Sequence, residues 1–551
     1  MKRRVWKHTC ISENVDGFIE EKTGKTIKEI TAWTGKNFIR FPEVKEKLLE
    51  ASRTGQLVCL VGDYDSDGIN SVNIMTKLFQ KLGIKFQLYI PKRESEGYGL
   101  SWKIMDRIPD NCILITIDNG ITAIEQMKSA KEHGMYTIIL DHHTAGDTLP
   151  DVDILIDPSA IGEADYTHYC GAGIAYRLAE YILGENDPIM KDLSVFAAIA
   201  TIGDVVELSG DNRQVVIEGM NNAKEGYGTN AVKYLLEKAK FNIDSTSTDI
   251  AFNVVPVLNA PERLEDGGAA KVCQAMLKNG SFEDSVNWLI EQNTRRKDIV
   301  SAAMQNIDLE ELKKNSDNVI MLKDNNIPLG IAGIVAGKLS EETGKPSFVF
   351  GVDADGNLKG SSRSNIQNLS IIEIIRMSSD KLVNGGGHAG AAGLSIKEED
   401  FEEFKKEVNE NISKKLDELK ENGEFTEFDS EEYTKWDVTA SDLTISAVAD
   451  KILSLEPTGE GLPAPKVRIK SRLVKASPFG GSADCPETEK PHIRFTFAGF
   501  TAIGFFMNDW YQEQKKLVSN VRFAELVGVV GKNTYNGKTT IQIRMDDFEL
   551  S

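Results

Sequence analysis

A chain of 551 residues, 41% hydrophobic and 27% charged, has the make-up of a multi-domain globular protein with ample core, which excludes a disordered or fibrous polymer. No apolar run approaches the ~20 residues of a membrane-spanning helix, and the opening MKRRVWKHTCISENVDG is basic but lacks the apolar segment of a secretory signal. With 84 acidic against 64 basic residues the net charge is −20, so a nucleic-acid partner has to be met by a local basic face.

Residues 1–50 read as a small helical lead-in, KEITAWTGKNFIRF and PEVKEKLLEAS having helix-like spacing, with no legible function. Then comes LVCLVGDYDSDG, residues 57–68. Its β-branched apolar run predicts a strand buried on both faces of a parallel sheet, followed by Asp63, Asp65 and Asp67 at alternate positions before a helix. IKFQLYIP is a second strand, and the loop KRESEGYGLS after it carries Arg93. CILITIDNG repeats the opening pattern and ends on Asp118, YTIILDHH ends on His142 and His143, DILIDPSA is a further strand, and the helix-like LSVFAAIATIGD delivers Asp204. Alternating strands and helices predict a doubly wound α/β fold with a parallel sheet, whose ligands sit beyond the carboxyl ends of its strands.

A lone acidic turn is an ordinary helix cap. Four such ends at equivalent topological positions point instead to a metal, because crowded carboxylates repel unless a cation neutralises them. Mixed carboxylate and imidazole ligation suits Mn²⁺, with Mg²⁺ as the alternative, and two metals about 3.5–4 Å apart would clamp a phosphate and activate a water. Six cysteines, Cys10, Cys59, Cys112, Cys170, Cys273 and Cys485, include no CxxC pair, which predicts a reducing, cytoplasmic setting.

GDYDSDG, IDNG, LDHH and ATIGD resemble, in order and spacing, the four signatures of the DHH phosphoesterase family. IPKRESEGYGL, PVLNAPER, GIAGIVAGKL, GSSRS, GGGHAGAAG and LEPTGEGLPAP resemble segments of its single-strand-specific 5′→3′ DNA exonucleases, from about residue 57 to the C-terminus. The resemblance implies that Asp65, Asp67, Asp118, His142 and Asp204 ligate metal, with Asp118 as the bridge, and that His143 orients the site or contacts phosphate. Asp63 matches a further acidic position. Many relatives have a histidine where this chain has Val61, which leaves one coordination position to Asp63 or water.

Further on, NAPERLEDGG contains Arg263, whose guanidinium the resemblance sets on the phosphate backbone, against the alternative of a salt bridge to Glu262 or Asp266. SFEDSVNWLIEQNTRRKDIVSAAMQNIDLEELKKN, residues 281–315, predicts one long connecting helix. A second α/β unit follows, in which the loop GGGHAGAAG, with Gly386, Gly387 and His388, and GSSRS, with Arg363, resemble a DHHA1 domain that holds nucleic acid against the metals. The charged helix 400–422 reads as a solvated face and the tail to Trp436 as a linker. From residue 437 the pattern changes to short strands. KVRIKSRLVKAS places Lys466, Arg468, Lys470 and Arg472 mainly on one face, and NTYNGK predicts a hairpin, which together suggest a β-barrel OB-fold that tracks single-stranded DNA.

The expected organisation is thus a lead-in (1–50), a catalytic domain (51–280), a connecting helix (281–316), a DHHA1 domain (317–425) and an OB-fold (437–551). The expected activity is 5′→3′ hydrolysis of single-stranded DNA to mononucleotides by a monomer, with a helicase and a single-strand-binding protein as partners. Two alternatives stand beside it: a phosphodiesterase acting on short oligonucleotides or cyclic dinucleotides, which needs no OB-fold, and a non-catalytic DNA-binding scaffold, which has no use for the carboxylates.

Overall fold

The computed structural model describes all residues except 1–4, 11, 13, 34, 354–355, 425–432, 482–485, 519 and 536. Cys485 and most of the Glu-rich tail before Trp436 therefore lie outside the described residues.

Five short apolar segments form a parallel sheet in the order Phe86–Tyr89, Val58–Val61, Ile113–Ile117, Tyr136–Leu140, Ile154–Ile156. The three central strands are buried almost throughout, as continuous apolar runs require. Chain order along this sheet is 2-1-3-4-5, and its direction of winding switches between Val58–Val61 and Ile113–Ile117. A crevice opens there at the carboxyl ends. Helices Ser66–Leu82, Gly171–Leu183 and Ile189–Gly203 pack on the sheet and on one another. Residues 212–280 are wholly helical where they are regular, and include Val255–Leu264 and Gly268–Met276.

The connecting helix is in two pieces, Glu283–Gln305 and Leu309–Lys314. Asp308 breaks it, because its side chain accepts from Glu311 N (3.0 Å) and so starts a new helix. Beyond it a mixed sheet runs Leu382–Gly387, Ala391–Ile396, Leu358–Arg363, Ser347–Val352, Ile320–Lys323. The expected glycine loop is here an antiparallel hairpin, with Gly386 opposite Gly393. Glycines carry no alternating side chains to mark a strand, and the pairing is completed by the neighbouring strand Leu358–Arg363.

A seven-stranded sheet forms the C-terminal body. Phe500–Gly504 runs parallel to Lys538–Leu550, and the long hairpin Phe523–Tyr535/Lys538–Leu550 dominates it. The first fifty residues are not a unit of their own. Strand Val5–His8 pairs in parallel with Tyr433–Trp436, and Val15, Phe18, Ile19 and Ile30 are buried in the C-terminal core. Helix Phe41–Thr54 instead buries Phe41, Val44, Leu48 and Ala51 against the catalytic domain. The LEPTGEGLPAP segment docks the two bodies. Arg213 is 4% exposed and donates to the carbonyls of Leu455, Glu456 and Pro457 (2.7–2.9 Å), and the hairpin tip meets the catalytic domain where Thr534 N donates to Asp244 (2.6 Å).

Candidate metal centre and substrate cleft

Each carboxylate at the sheet's carboxyl edge is set by its own local structure. Asp65 caps the helix Ser66–Leu82, accepting from Asp67 N (2.9 Å) and Gly68 N (3.1 Å). Asp67 lies in the first turn of that helix and accepts from Gly171 N (2.7 Å) and Ala172 N (2.9 Å), so its charge sits on the positive end of Gly171–Leu183. Asp118 ends its strand in the left-handed region (φ 61°), and Asp204 follows the last turn of Ile189–Gly203.

His142 draws the edges together. Its Nε2 lies 3.0 Å from Asp118 Oδ1 and 3.7 Å from both Asp67 Oδ2 and Asp204 Oδ2. The ligand atoms of Asp67, His142 and Asp204 lie within 4.8 Å of one another, as do those of Asp63, Asp65 and Asp118, and those of Asp118, His142 and His143. Asp118 is common to the second and third of these groups and His142 to the first and third, so the three interlock.

Burial and then mutual repulsion hold Asp63, Asp118 and Asp204 well above the usual carboxylate range, and raise Asp65 as well. Asp63 Oδ1 and Asp204 Oδ2 are buried without a hydrogen-bond partner. A carboxylate oxygen in that state is costly unless a cation meets it. This donor set of oxygens and imidazole, with no thiolate in any of the three groups, fits one or two hard divalent cations.

Asp141, which the sequence places at the strand end but to which it assigns no role, holds the histidines. Its fully buried carboxylate accepts from Ile121 N (2.9 Å), His142 N (2.8 Å) and His143 Nδ1 (2.8 Å). Burial alone would raise Asp141, but the His143 hydrogen bond and charge outweigh it and hold the carboxyl low. Burial would likewise lower His143, yet Asp141 lifts it to about 9, so it is a cation at neutral pH. Tyr98 Oη donates to the Asp118 carbonyl (3.0 Å) and lies 3.2 Å from His143 Nε2. Val61 is fully buried, and its carbonyl accepts from Asn119 Nδ2 (3.2 Å), which ties two strand ends together.

Arg263 projects from the helix Val255–Leu264 into a cationic group. Burial first, then Arg93, Arg296 and Arg363, depress it to about 10, with Asp65 opposing. It makes no salt bridge to Glu262 or Asp266 among the described residues. Those carboxylates instead hold backbone: Glu262 accepts from Arg93 N (2.8 Å) and Ala269 N (2.8 Å), and Asp266 from Glu94 N (3.0 Å). The KRESEGYGLS loop is clasped in this way, with the Arg93 guanidinium 5.6 Å from the Tyr64 ring. Between the lobes a cavity of about 260 Å³ is lined by Tyr64, Arg93, Tyr98, Ser361 and Gly386. Gly387 and His388 lie outside this lining, at the hairpin turn, and Arg363 donates to its neighbour's carbonyl, Ser362 O (2.8 Å).

The basic strand Lys466–Arg472 contributes no residue to the lining of this cavity and is partly neutralised. Lys466 pairs with Asp546 (2.6 Å) and Arg468 with Glu525 (2.6 Å), the Arg468 guanidinium also lying 5.1 Å from the Trp436 ring. Among the described residues Lys470 and Arg472 form no ion pair. The aromatic residues expected on this body gather around His492, which sits between Phe479, Phe505 and Phe506 (4.7–5.2 Å between centroids), with Phe506 78% exposed.

Three family models match the chain: the DHH family N-terminal domain over residues 57–201, the DHHA1 domain over 316–414 and the RecJ OB domain over 436–547. The single-stranded-DNA-specific exonuclease RecJ of Bacillus subtilis is 29% identical over 525 residues, 92% of this chain, which spans 63% of that relative's length. RecJ of Escherichia coli is 30% identical over 403 residues, 68% of this chain and 69% of the relative. The RecJ–Mn²⁺ structure from Thermus thermophilus superposes with a TM-score of 0.74 at 24% identity, covering 100% of this chain and 80% of that one. Its Mg²⁺ complex gives 0.69 at 23% identity, with 97% and 74% covered. A manganese-bound exonuclease RecJ gives 0.59 at 29% identity, with 68% and 95% covered.

Proposed function

The chain belongs to the RecJ family of single-stranded-DNA-specific exonucleases, and from that premise we propose that it is a divalent-metal-dependent nuclease that hydrolyses single-stranded DNA from the 5′ end to mononucleotides, in repair and recombination. The observation that carries the reading is the interlocked carboxylate and histidine cluster around Asp118, whose buried, unpartnered oxygens call for cations.

Asp67, His142 and Asp204 would hold one cation and Asp63 and Asp65 another, with Asp118 shared; Mn²⁺ is the preferred metal in this reading. Such a pair supplies Lewis-acid stabilisation of the phosphoryl oxygens and a nucleophilic water at neutral pH. The protein's own groups do the rest. Asp141 fixes His143 as a cation facing the developing phosphorane charge, and Arg93, Arg263 and Arg363 orient the backbone phosphate. Gly386 leaves the cavity wall free of a side chain, so a nucleotide can approach the main chain. In this reading strand selectivity is steric, the cleft between the lobes admitting one strand and excluding a duplex. Cutting duplex ends would then require a helicase, and coated strands a single-strand-binding protein.

The same reading takes the enzyme to be a monomer in the cytoplasm. In support, all five described cysteines are free, and among the described residues no helix is long and apolar enough to cross a membrane.

The test is digestion of 5′- and 3′-labelled single-stranded DNA with Mn²⁺ and with Mg²⁺, beside a duplex control and Asp118→Ala. Immediate release of the 5′ label as mononucleotide, with duplex spared and the variant inactive, is the expected outcome. DNA that is bound but left intact with every divalent metal would make the protein a scaffold.

A further inference from the structure

A crevice of about 570 Å³ opens where three parts of the molecule meet: the end of helix Asn230–Lys238 with the loop after it, the helix Glu283–Gln305, and the tip of the C-terminal hairpin. Four lysines line it, Lys238, Lys240, Lys297 and Lys532, against two carboxylates, Asp244 and Asp249. Both carboxylates already have donors. Asp244 accepts from Thr534 N and Oγ1 (2.6 and 3.0 Å), and Asp249 from Thr246 N and Oγ1 (2.8 and 3.2 Å).

At the floor lies Asn293, 7% exposed. Its Oδ1 accepts from Arg296 Nε (3.1 Å), while its Nδ2 has no hydrogen-bond partner among the described residues. An amide donor with no protein partner beside a lysine-rich rim suits an anionic oxygen. Arg296 also contributes to the positive field that depresses Arg263, so the crevice and the catalytic cleft share one cationic surrounding. The lining contains no aromatic residue and so offers no surface on which a base could stack. Point charges on flexible stems recognise phosphate without reading sequence.

We propose that this crevice is a second, non-catalytic phosphate-binding site, occupied by the backbone of the strand trailing from the catalytic cleft. The choice of occupant rests on the exonuclease reading; the phosphate chemistry does not. A free nucleotide presents the same groups, and the experiment separates the two sources.

Wild-type protein and the double variant Lys297→Ala/Lys532→Ala, each full length, are compared in three arms: digestion of a 5-mer and of a 60-mer with Mn²⁺, salt-dependent binding of a 60-mer without metal, and calorimetric titration with dTMP and with pyrophosphate. The expected result is an unchanged rate on the 5-mer, a loss on the 60-mer, and a slope of log K against log salt shallower by about 1.4, two contacts at about 0.7 each. Binding of dTMP or pyrophosphate that disappears in the variant, with 60-mer binding unaffected, would keep the phosphate site and assign it to free nucleotide. An unchanged salt slope together with no difference in either titration overturns the proposal. Wild-type protein that digests neither oligonucleotide would sink the exonuclease reading instead, leaving the titrations to decide the crevice.

Discussion

Asp118 shows what the centre costs the protein before any metal arrives. It is buried, held at positive φ, and faced by Asp67, Asp65, Asp204 and Asp63. In the metal-free protein such carboxylates keep protons that the unfolded chain releases near its usual value of 3.8. Raised folded values mean that the folded state binds more protons, so stability is fullest below the unfolded pKa and falls as pH rises through the raised values. Thermal melts in chelator should therefore worsen from pH 5 to pH 8. Melts with Mn²⁺ should not, since a cation at 1,000 times its Kd adds about 4 kcal/mol. Asp118→Asn should abolish hydrolysis yet flatten the chelator profile, a pairing that mere misfolding would not give. Which residues carry charge at strand ends was legible in the sequence, because the apolar run and the acidic turn adjoin. The partner of Asp67 was not, since Gly171 lies 104 residues away and only folding brings that helix end to it.

At the scale of single elements, two small contacts govern the geometry. A Cβ on Gly171 would stand 2.6 Å from Asp118 Cβ and 3.0 Å from its carboxyl carbon, with no room to give. Gly171→Ala should leave the fold intact and weaken metal binding by about 10–100-fold, the usual effect of disturbing groups that support ligands. Isothermal titration with Mn²⁺ reads it directly. Asp141→Asn should cut kcat by a similar factor, about 10–100-fold, with KM little changed, because His143 loses the partner that fixes its charge and orientation. The elements themselves were read well where side chains alternate or repeat, as in the five catalytic strands. They were misread where that signal is erased. In Gly385–Gly387 a strand has no side chains to alternate. At Asp308 the capping spacing to Glu311 was present in the sequence but lay hidden inside a run of good helix formers.

Across the whole molecule, the catalytic and DHHA1 regions are carried within a body made from both flanks of the described chain. Val5 pairs with Tyr433, and Ile19, fully buried, packs in the C-terminal core. Ile19→Ala should cost about 2–5 kcal/mol, unfolding the OB body in urea ahead of the catalytic domain, which fluorescence from Trp510 against whole-chain circular dichroism would separate. Arg213→Ala should free the 455–457 segment from the catalytic domain, stranding three carbonyls at a cost of about 3 kcal/mol. The measurable effect is faster proteolysis at that seam. No periodicity in residues 5–30 could announce a partner some 430 positions on, which is why this region read as an independent lead-in.

The pairing of Val5–His8 with Tyr433–Trp436 also imposes an order in time. A ribosome adding about 5–20 residues per second needs roughly 20–85 seconds to cover that separation, and during this interval the metal-binding domain emerges and folds while Phe18 and Ile19 have nothing to cover them. The hydrolytic centre is thus finished well before the body expected to grip the strand. An abandoned translation product would carry chemistry without hold, and would display its unsheltered N-terminal residues to the chaperones and proteases that clear such fragments.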